Sequence, residues 1–167
     1  MSYSQVPQIK RDALVALYNS TDGANWTDNT GWLGEAGTEC SWFGVTCSSG
    51  SVTGIDLFSN CLSGSIPKEI WVLTKITSLN LGYNYFFIGR KTPKERGLTG
   101  EILRELGNLG NLTYLNLGWN NLTGTIPNEL GKLTKLKTIF LAWTQLSGLV
   151  PEGSQKYFLT QQVLIIS

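Results

Sequence analysis

The chain contains no histidine. Imidazole is the commonest general base and metal ligand near neutral pH, so its absence removes Ser–His and Cys–His nucleophile pairs and most zinc sites. Cysteine is scarce, at three residues, and no Cys-x-x-Cys spacing occurs, which counts further against zinc. Charge is sparse as well: 15% of the 167 residues, with a net charge of +1. A near-neutral chain has no basic face for nucleic acid or for an anionic membrane. No apolar run approaches the ~18–20 residues that cross a bilayer, so no direct membrane span is expected. No Gly-rich phosphate loop is found, and the acidic pair Glu101 and Glu105 reads as a solvated face on a turn. These absences point away from an enzyme, and no cofactor or metal is expected.

What the sequence does have is a repeated phrase. Leu62-Ser-Gly-Ser-Ile-Pro67 returns as Leu122-Thr-Gly-Thr-Ile-Pro127 and Leu146-Ser-Gly-Leu-Val-Pro151, with a weaker copy at Leu98-Thr-Gly-Glu-Ile-Leu103. Each follows an apolar alternation: Val52/Ile55/Leu57, Ile76/Leu79/Leu81, Leu112/Leu115/Leu117 and Leu136/Ile139/Leu141. An interval of 24 residues separates Ile55 from Leu79 and Leu115 from Ile139. A fixed period of this length is the mark of a solenoid, whose units bury their apolar faces against one another. After each strand comes Asn60, Asn84 or Asn120, with Thr144 in the last full copy. An inward Asn at a tight bend can satisfy backbone groups that the bend leaves unpaired. Short helical stretches such as 128–133 then close each unit.

Ahead of the repeats, 7–18 reads as a helix. Pro7 suits a first helical position, and Ile9, Ala13, Leu14, Leu17 and Tyr18 mark one apolar face. Trp26, Trp32 and Trp42 follow in an irregular segment suited to plug the open end of the solenoid. Cys40 and Cys47 lie close enough for a local bridge across a short loop. Cys61 is left over, either free or paired with another chain. Asn-x-Ser/Thr sequons stand at Asn19, Asn25, Asn111 and Asn121. The latter two arise from Asn-Leu-Thr strings that the repeat generates, so Asn19 and Asn25 carry more weight as glycosylation sites. The start, Met1 to Lys10, lacks the apolar stretch of a secretory leader. The protein therefore either stays inside the cell or has lost its leader; the cysteine pair and the sequons favour a secreted, extracellular protein.

Two places break the period. Leu79 to Leu115 spans 36 residues, leaving an insertion at 85–96 that carries Arg90, Lys91, Lys94 and Arg96 against the single acid Glu95. A loop grafted on a rigid solenoid is a common place for function, or else a tolerated solvated insertion. At the other end, Val163 and Ile165 fall one period after Ile139 and Leu141, so 162–167 reads as a fifth strand with no cap after it. That end fits either a shortened chain or a surface built to meet another molecule. The resulting division is an N-terminal cap over 1–50, four repeats over 51–151 and a partial fifth repeat over 152–167.

At these residues the chain resembles the plant-type leucine-rich repeat family, whose consensus is Leu-x-x-Leu-x-Leu-x-x-Asn-x-Leu-Ser/Thr-Gly-x-Ile-Pro. The stretch from Ala13 to Trp26, with Cys40-Ser-Trp-Phe-Gly-Val-Thr-Cys47, resembles the family's N-terminal cap. The resemblance implies an α/β fold: a right-handed solenoid with a concave parallel β-sheet, 3₁₀ or short helices on the convex side, a second short sheet at the Leu-Ser/Thr-Gly segments and a helical cap. It also implies a secreted recognition module, since receptor-kinase ectodomains, receptor-like proteins and polygalacturonase inhibitors belong to the family. The concave column that supplies acidic contacts in some inhibitors holds only Asp56 here, which counts against an inhibitor role.

The outward residues of that sheet fall into columns: Asp56, Asn80, Asn116, Phe140; then Phe58, Gly82, Gly118, Ala142; then Ser59, Tyr83, Trp119, Trp143. Strands stack about 4.7–4.9 Å apart, so Tyr83, Trp119 and Trp143 are expected to form an aromatic ladder beside a groove of small residues. Phe58, Tyr114 and Phe140 add rings to the same face. A contiguous aromatic column suits a protein, peptide or glycan ligand, although such rings can also simply stack on one another or be covered by the looped insertion. An alternative role is a structural subunit of a larger assembly, docked through the C-terminal strand, Cys61 and the basic insertion. A third, ice binding, would use Ser63, Thr99, Thr123 and Ser147 as one flat hydroxyl column.

Overall fold

The apolar residues of the four alternations, from Val52 to Leu141, are all buried to 4% exposure or less. In the computed structural model, which describes residues 6–85, 97–148 and the backbone of Val163–Leu164, they line the core of a solenoid. One sheet holds β1 (Val45–Ser48), β2 (Ser51–Asp56), β4 (Ser78–Asn80), β6 (Tyr114–Asn116), β8 (Thr138–Phe140) and β9 (Val163–Leu164), in that spatial order. A second, lateral sheet holds β3 (Ser63–Ser65), β5 (Gly97–Glu101) and β7 (Asn121–Thr123). From β2 onward the first sheet is parallel, and its register Ile55↔Leu79↔Leu115↔Ile139↔Val163 follows the sequence period, insertion included. The convex side carries 3₁₀ helices at Lys68–Val72, Arg104–Asn108 and Asn128–Lys132. Glycine recurs there because a Cβ on Gly107 would sit 2.9 Å from the Glu129 Cβ of the next coil. Trp71 takes the equivalent place in the first coil and is 2% exposed, filling the space beneath the cap helix.

The lateral sheet departs from expectation. Its strands pair Ser63↔Gly97 and Thr99↔Asn121, with an isolated bridge Thr125↔Ser147, a stagger of two residues from the repeat. Thr99 therefore lies beside Ser65 rather than Ser63, and Thr123 beside Glu101. The four hydroxyls do not form one column. Glu101, which reads from sequence as part of a convex turn, closes strand β5 instead.

The cap helix α1 spans Gln8–Ser20, two residues beyond the expected end at Tyr18. Pro7 precedes it as N-cap, and its carbonyl accepts the Lys10 and Arg11 amides. Ala13, Leu14 and Leu17 are fully buried, but Ile9 is 60% exposed, because Lys10 takes the inward position of the first turn and donates to the Val72 carbonyl. Trp26, Trp32 and Trp42 are buried and pack ring to ring with Tyr18, closing the end of the solenoid. β1 was not legible in the sequence. It folds back on β2 through Ser49-Gly50, both at positive φ, the backbone that a tight two-residue hairpin requires. This antiparallel strand covers an edge that parallel stacking would leave open. The Cys40–Cys47 disulfide ties β1 to the segment before it.

Two polar devices are buried in this frame. Asn60, Asn84 and Asn120 are each about 2% exposed or less. Asn84 Oδ1 accepts the amides of Asn60 (2.9 Å) and Leu62 (3.1 Å) from the preceding coil, and its Nδ2 donates to the carbonyls of Leu57, Leu81 and Gly82. Asn120 repeats this toward Leu98, Leu81, Leu117 and Gly118. Replacing Asn120 by Ala leaves a buried amide and several carbonyls without partners, so urea unfolding is expected to show a loss of about 3 kcal/mol.

The second device is the Glu39 carboxylate, fully buried and paired with Arg11, whose guanidinium also lies 5.1 Å from the Trp42 ring centroid. Burial pushes the carboxyl pKa up. The Arg11 hydrogen bond, the backbone amides of Glu39 and Gly37 and the Arg11 charge outweigh it, holding the group below its ordinary value of 4.5. A lowered folded-state value means that folding favours the ionised form. That stability is complete above the unfolded value and is lost as pH falls through the lower folded one. Arg11→Met is accordingly expected to lower stability by about 3 kcal/mol at neutral pH, with a smaller penalty in thermal melts at about pH 3.

Candidate functional site

Each coil ends its concave strand in the same way. The residue before the ladder Asn, or before Thr144 in the last full coil, adopts a left-handed backbone: Ser59 at φ 52°, Tyr83 at 59°, Trp119 at 55° and Trp143 at 58°. Its amide is tied to the next coil, Tyr83 N to the Gly118 carbonyl (2.9 Å) and Trp119 N to the Ala142 carbonyl (2.8 Å). The left-handed region is uncommon for bulky side chains and costs about 1 kcal/mol or more per residue. Three large rings are nonetheless placed there, and Trp119 and Trp143 remain 41% and 51% exposed.

The rings do form a ladder. Trp119 and Trp143 stack at 4.6 Å between centroids with planes 23° apart, and Tyr83 leans on Trp119 at 5.3 Å. Sequence reading puts Ser59 at the head of this column and Phe58 in the next one. Instead the Phe58 ring, half exposed, stacks on Tyr83 at 5.5 Å and 22°, becoming the fourth rung. Alternation along a strand assigns a face but not the direction in which a long side chain leans across it. Tyr114 and Phe140 form a separate edge-to-face pair at 6.1 Å on the same sheet.

Gly82 and Gly118 floor the space beside the ladder. A Cβ on Gly118 would lie 2.9 Å from the Ala142 backbone carbonyl, and one on Gly82 would lie 2.5 Å from the Asn116 side-chain amide, which would have to move to admit it. Beyond the floor runs a polar column. Asp56, Asn80 and Asn116 each accept the amide two residues on, from Phe58, Gly82 and Gly118, and Asn80 Nδ2 donates to Asp56 Oδ1 at 3.0 Å. The concave face is thus a shallow groove with an aromatic wall, a backbone floor and an amide wall.

The other expected sites are placed as follows. Cys40 and Cys47 are disulfide-bonded, while Cys61 is a half-buried free thiol that accepts a hydrogen bond from Thr27 Oγ1 at 3.2 Å. Asn19 and Asn25 are exposed on the cap. Asn111 and Asn121 are half-buried; the Asn111 amide donates to the Thr74 carbonyl and accepts from Lys135, and Asn121 accepts from Gln145. Arg90, Lys91, Lys94 and Arg96 lie outside the described residues, as do the side chains of the last strand. The hydroxyls of Thr99, Thr123 and Ser147 each donate to a glycine carbonyl of the preceding coil, Gly64, Gly100 and Gly124. No helix among the described residues is long and apolar enough to cross a membrane, and no cluster of metal-ligating side chains occurs among them.

Repeating coils with this Asn ladder, parallel concave sheet and tryptophan-rich cap define a leucine-rich repeat solenoid. The chain belongs to the plant-type leucine-rich repeat proteins and is similar to receptor-like ectodomains. The family model for the leucine rich repeat matches residues 111–133. Receptor-like protein kinase 7 of Arabidopsis thaliana is 34% identical over 123 residues, covering 72% of this chain and 11% of that protein. The chain therefore spans about a tenth of the length of that relative. Among solved structures, a plant ice-binding protein superposes over 97% of this chain and 48% of its own, with a TM-score of 0.77 at 22% identity, a likeness of fold. The plant peptide hormone receptor RGFR1 in complex with RGF2 is 34% identical over 60% of this chain and 14% of its own, with a TM-score of 0.50.

The ladder geometry yields a stability prediction. Trp143→Asn relieves about 1 kcal/mol of left-handed strain and loses one ring stack of about 0.5–1.5 kcal/mol. Its unfolding free energy should stay within about 1 kcal/mol of the parent, whereas Leu141→Ala, two residues away in the core, should lose about 3 kcal/mol.

Proposed function

We propose that the protein is an extracellular recognition module that binds an extended peptide, or an exposed peptide segment of a protein, along the concave groove. The ligand-contacting residues in this reading are Phe58, Tyr83, Trp119 and Trp143, with Tyr114 and Phe140 on the flank. The observation that carries it is the placement of large exposed rings on left-handed backbone. The core gains nothing from them, and a smaller residue such as Asn or Gly would sit there more easily. Exposed aromatics of this kind are the usual anchors of binding surfaces.

Stacking also separates the ligand classes. A sugar ring stacks on an open aromatic face, but the facing sides of Trp119 and Trp143, and of Phe58 and Tyr83, are covered by one another. The two stacked pairs present mainly ring edges, which suit apolar side chains of a peptide lying over the glycine floor. The hormone-receptor complex, 34% identical over its matched part, supports the same class of ligand. The lateral hydroxyls are weak ground for ice binding, because their protons are committed to glycine carbonyls and Glu101 interrupts the face. The disulfide and the likeness to plant receptor ectodomains support an extracellular setting, with Asn19 and Asn25 as the accessible glycosylation sites.

Selection of a random-peptide display library on the immobilised protein tests the reading. The parent should enrich a family of sequences, and Trp119→Ala with Trp143→Ala should weaken binding of those peptides by about a hundred-fold or more while the protein stays folded. Failure to enrich any peptide, or equal enrichment by the double variant, would refute groove recognition.

A further inference from the structure

The groove is uniform in shape along its length but not in charge. Asp56 stands in the first coil where later coils place Asn80, Asn116 and Phe140, and the other outward positions of the sheet from Gly54 to Trp143 are uncharged. The Asp56 side chain is exposed. Its Oδ1 is committed, accepting the Phe58 amide at 3.2 Å and Asn80 Nδ2 at 3.0 Å, while Oδ2 accepts no hydrogen bond among the described residues. Two residues further on, just past the end of β2, the half-exposed Phe58 ring is stacked on Tyr83 by one face. Its other face carries no ring among the described residues. An exposed carboxylate and a half-exposed ring two residues apart can together attract a cation: the carboxylate supplies charge and a hydrogen-bond acceptor, and the ring quadrupole adds attraction.

Building on the peptide-recognition reading, we infer that the groove takes its ligand in one orientation, with a basic group of the peptide seated at Asp56 and Phe58. This group is an arginine or lysine side chain, or the free amino terminus. Uncharged, apolar residues then run over Gly82 and Gly118 against Trp119 and Trp143. The three centroid steps from Phe58 to Trp143 cover about 15 Å. At about 3.3 Å per residue, this corresponds to about five extended residues, so the basic group and the last apolar contact are that far apart in the peptide. An acidic peptide is disfavoured by repulsion at Asp56.

The peptides enriched in the library selection carry the test, with synthetic copies measured on the intact chain. They are expected to hold Arg or Lys, or a required free amino terminus, about five residues from an aromatic or branched apolar residue. Asp56→Asn keeps the size and Oδ1 of the native side chain. It should weaken binding of the basic peptides about ten-fold, as loss of a charged hydrogen bond does, and leave variants with the basic residue replaced by Gln unaffected. Binding to the parent should fall several-fold between about 0.05 and 0.5 M salt, and this dependence should flatten in Asp56→Asn. Enriched peptides without a basic group, or salt-independent binding unchanged by Asp56→Asn, overturn the inference while leaving the groove as a peptide site. Absence of enrichment removes both.

Discussion

The ladder of buried asparagines is the constraint on which the rest of this structure depends. Each coil must reverse direction after three residues of parallel strand, and a reversal that tight leaves amides and carbonyls pointing into an apolar core. Asn84 and Asn120 answer five and four of those groups respectively, reaching into the preceding coil as well as their own. The same side chain therefore satisfies a turn and sets the stacking distance between turns. Asn60 extends the series into the cap, where its amide donates to the Asp28 carbonyl and its oxygen accepts the Asp28 amide. Cap and repeats are thereby joined by one motif rather than by apolar contact alone.

That turn also decides where function can reside. To bring the Asn side chain inward, the residue ahead of it takes a left-handed backbone and projects from the concave rim. The fold is indifferent to what stands there, provided the strain is tolerable, as Ser59 shows by sitting in the same conformation with no ring at all. Trp119 and Trp143 accordingly stay largely exposed, and Tyr83 half-exposed, on the rim that the turn creates. The adjoining floor has the opposite status. Gly82 and Gly118 are held by close approach of the neighbouring coil, so the groove's depth is a consequence of stacking while its wall is open to variation.

Much of this was legible in the chain. The period of 24, the inward triads, the Asn positions, the short helical turns and the tryptophan plug all follow from spacing and residue pattern, because a solenoid repeats one local solution and each copy corroborates the others. The failures cluster where a contact is made once. β1 pairs antiparallel only at the cap. Glu39 is buried because Arg11, 28 residues earlier, folds over it. Ile9 has helical spacing but faces outward, since Lys10 meets the coil at Val72 in its place. Phe58 is assigned correctly to the concave face and wrongly to its column, since its ring leans toward Tyr83. The lateral sheet repeats, yet its two-residue stagger depends on how successive coils are inclined, which no single coil encodes.

The sequence by itself determined the architecture: which residues are inside, how many coils follow one another and that the exposed rings fall in one column. It could do so because burial periodicity and turn chemistry are local and are written once per repeat. Only the tertiary structure decided how those rings present themselves. Stacking pairs Trp119 with Trp143 and leans Phe58 onto Tyr83 as a further rung, and it leaves Asp56 with one oxygen uncommitted at the same end. These are relations between side chains from different coils, fixed by the distance and tilt at which the coils stack.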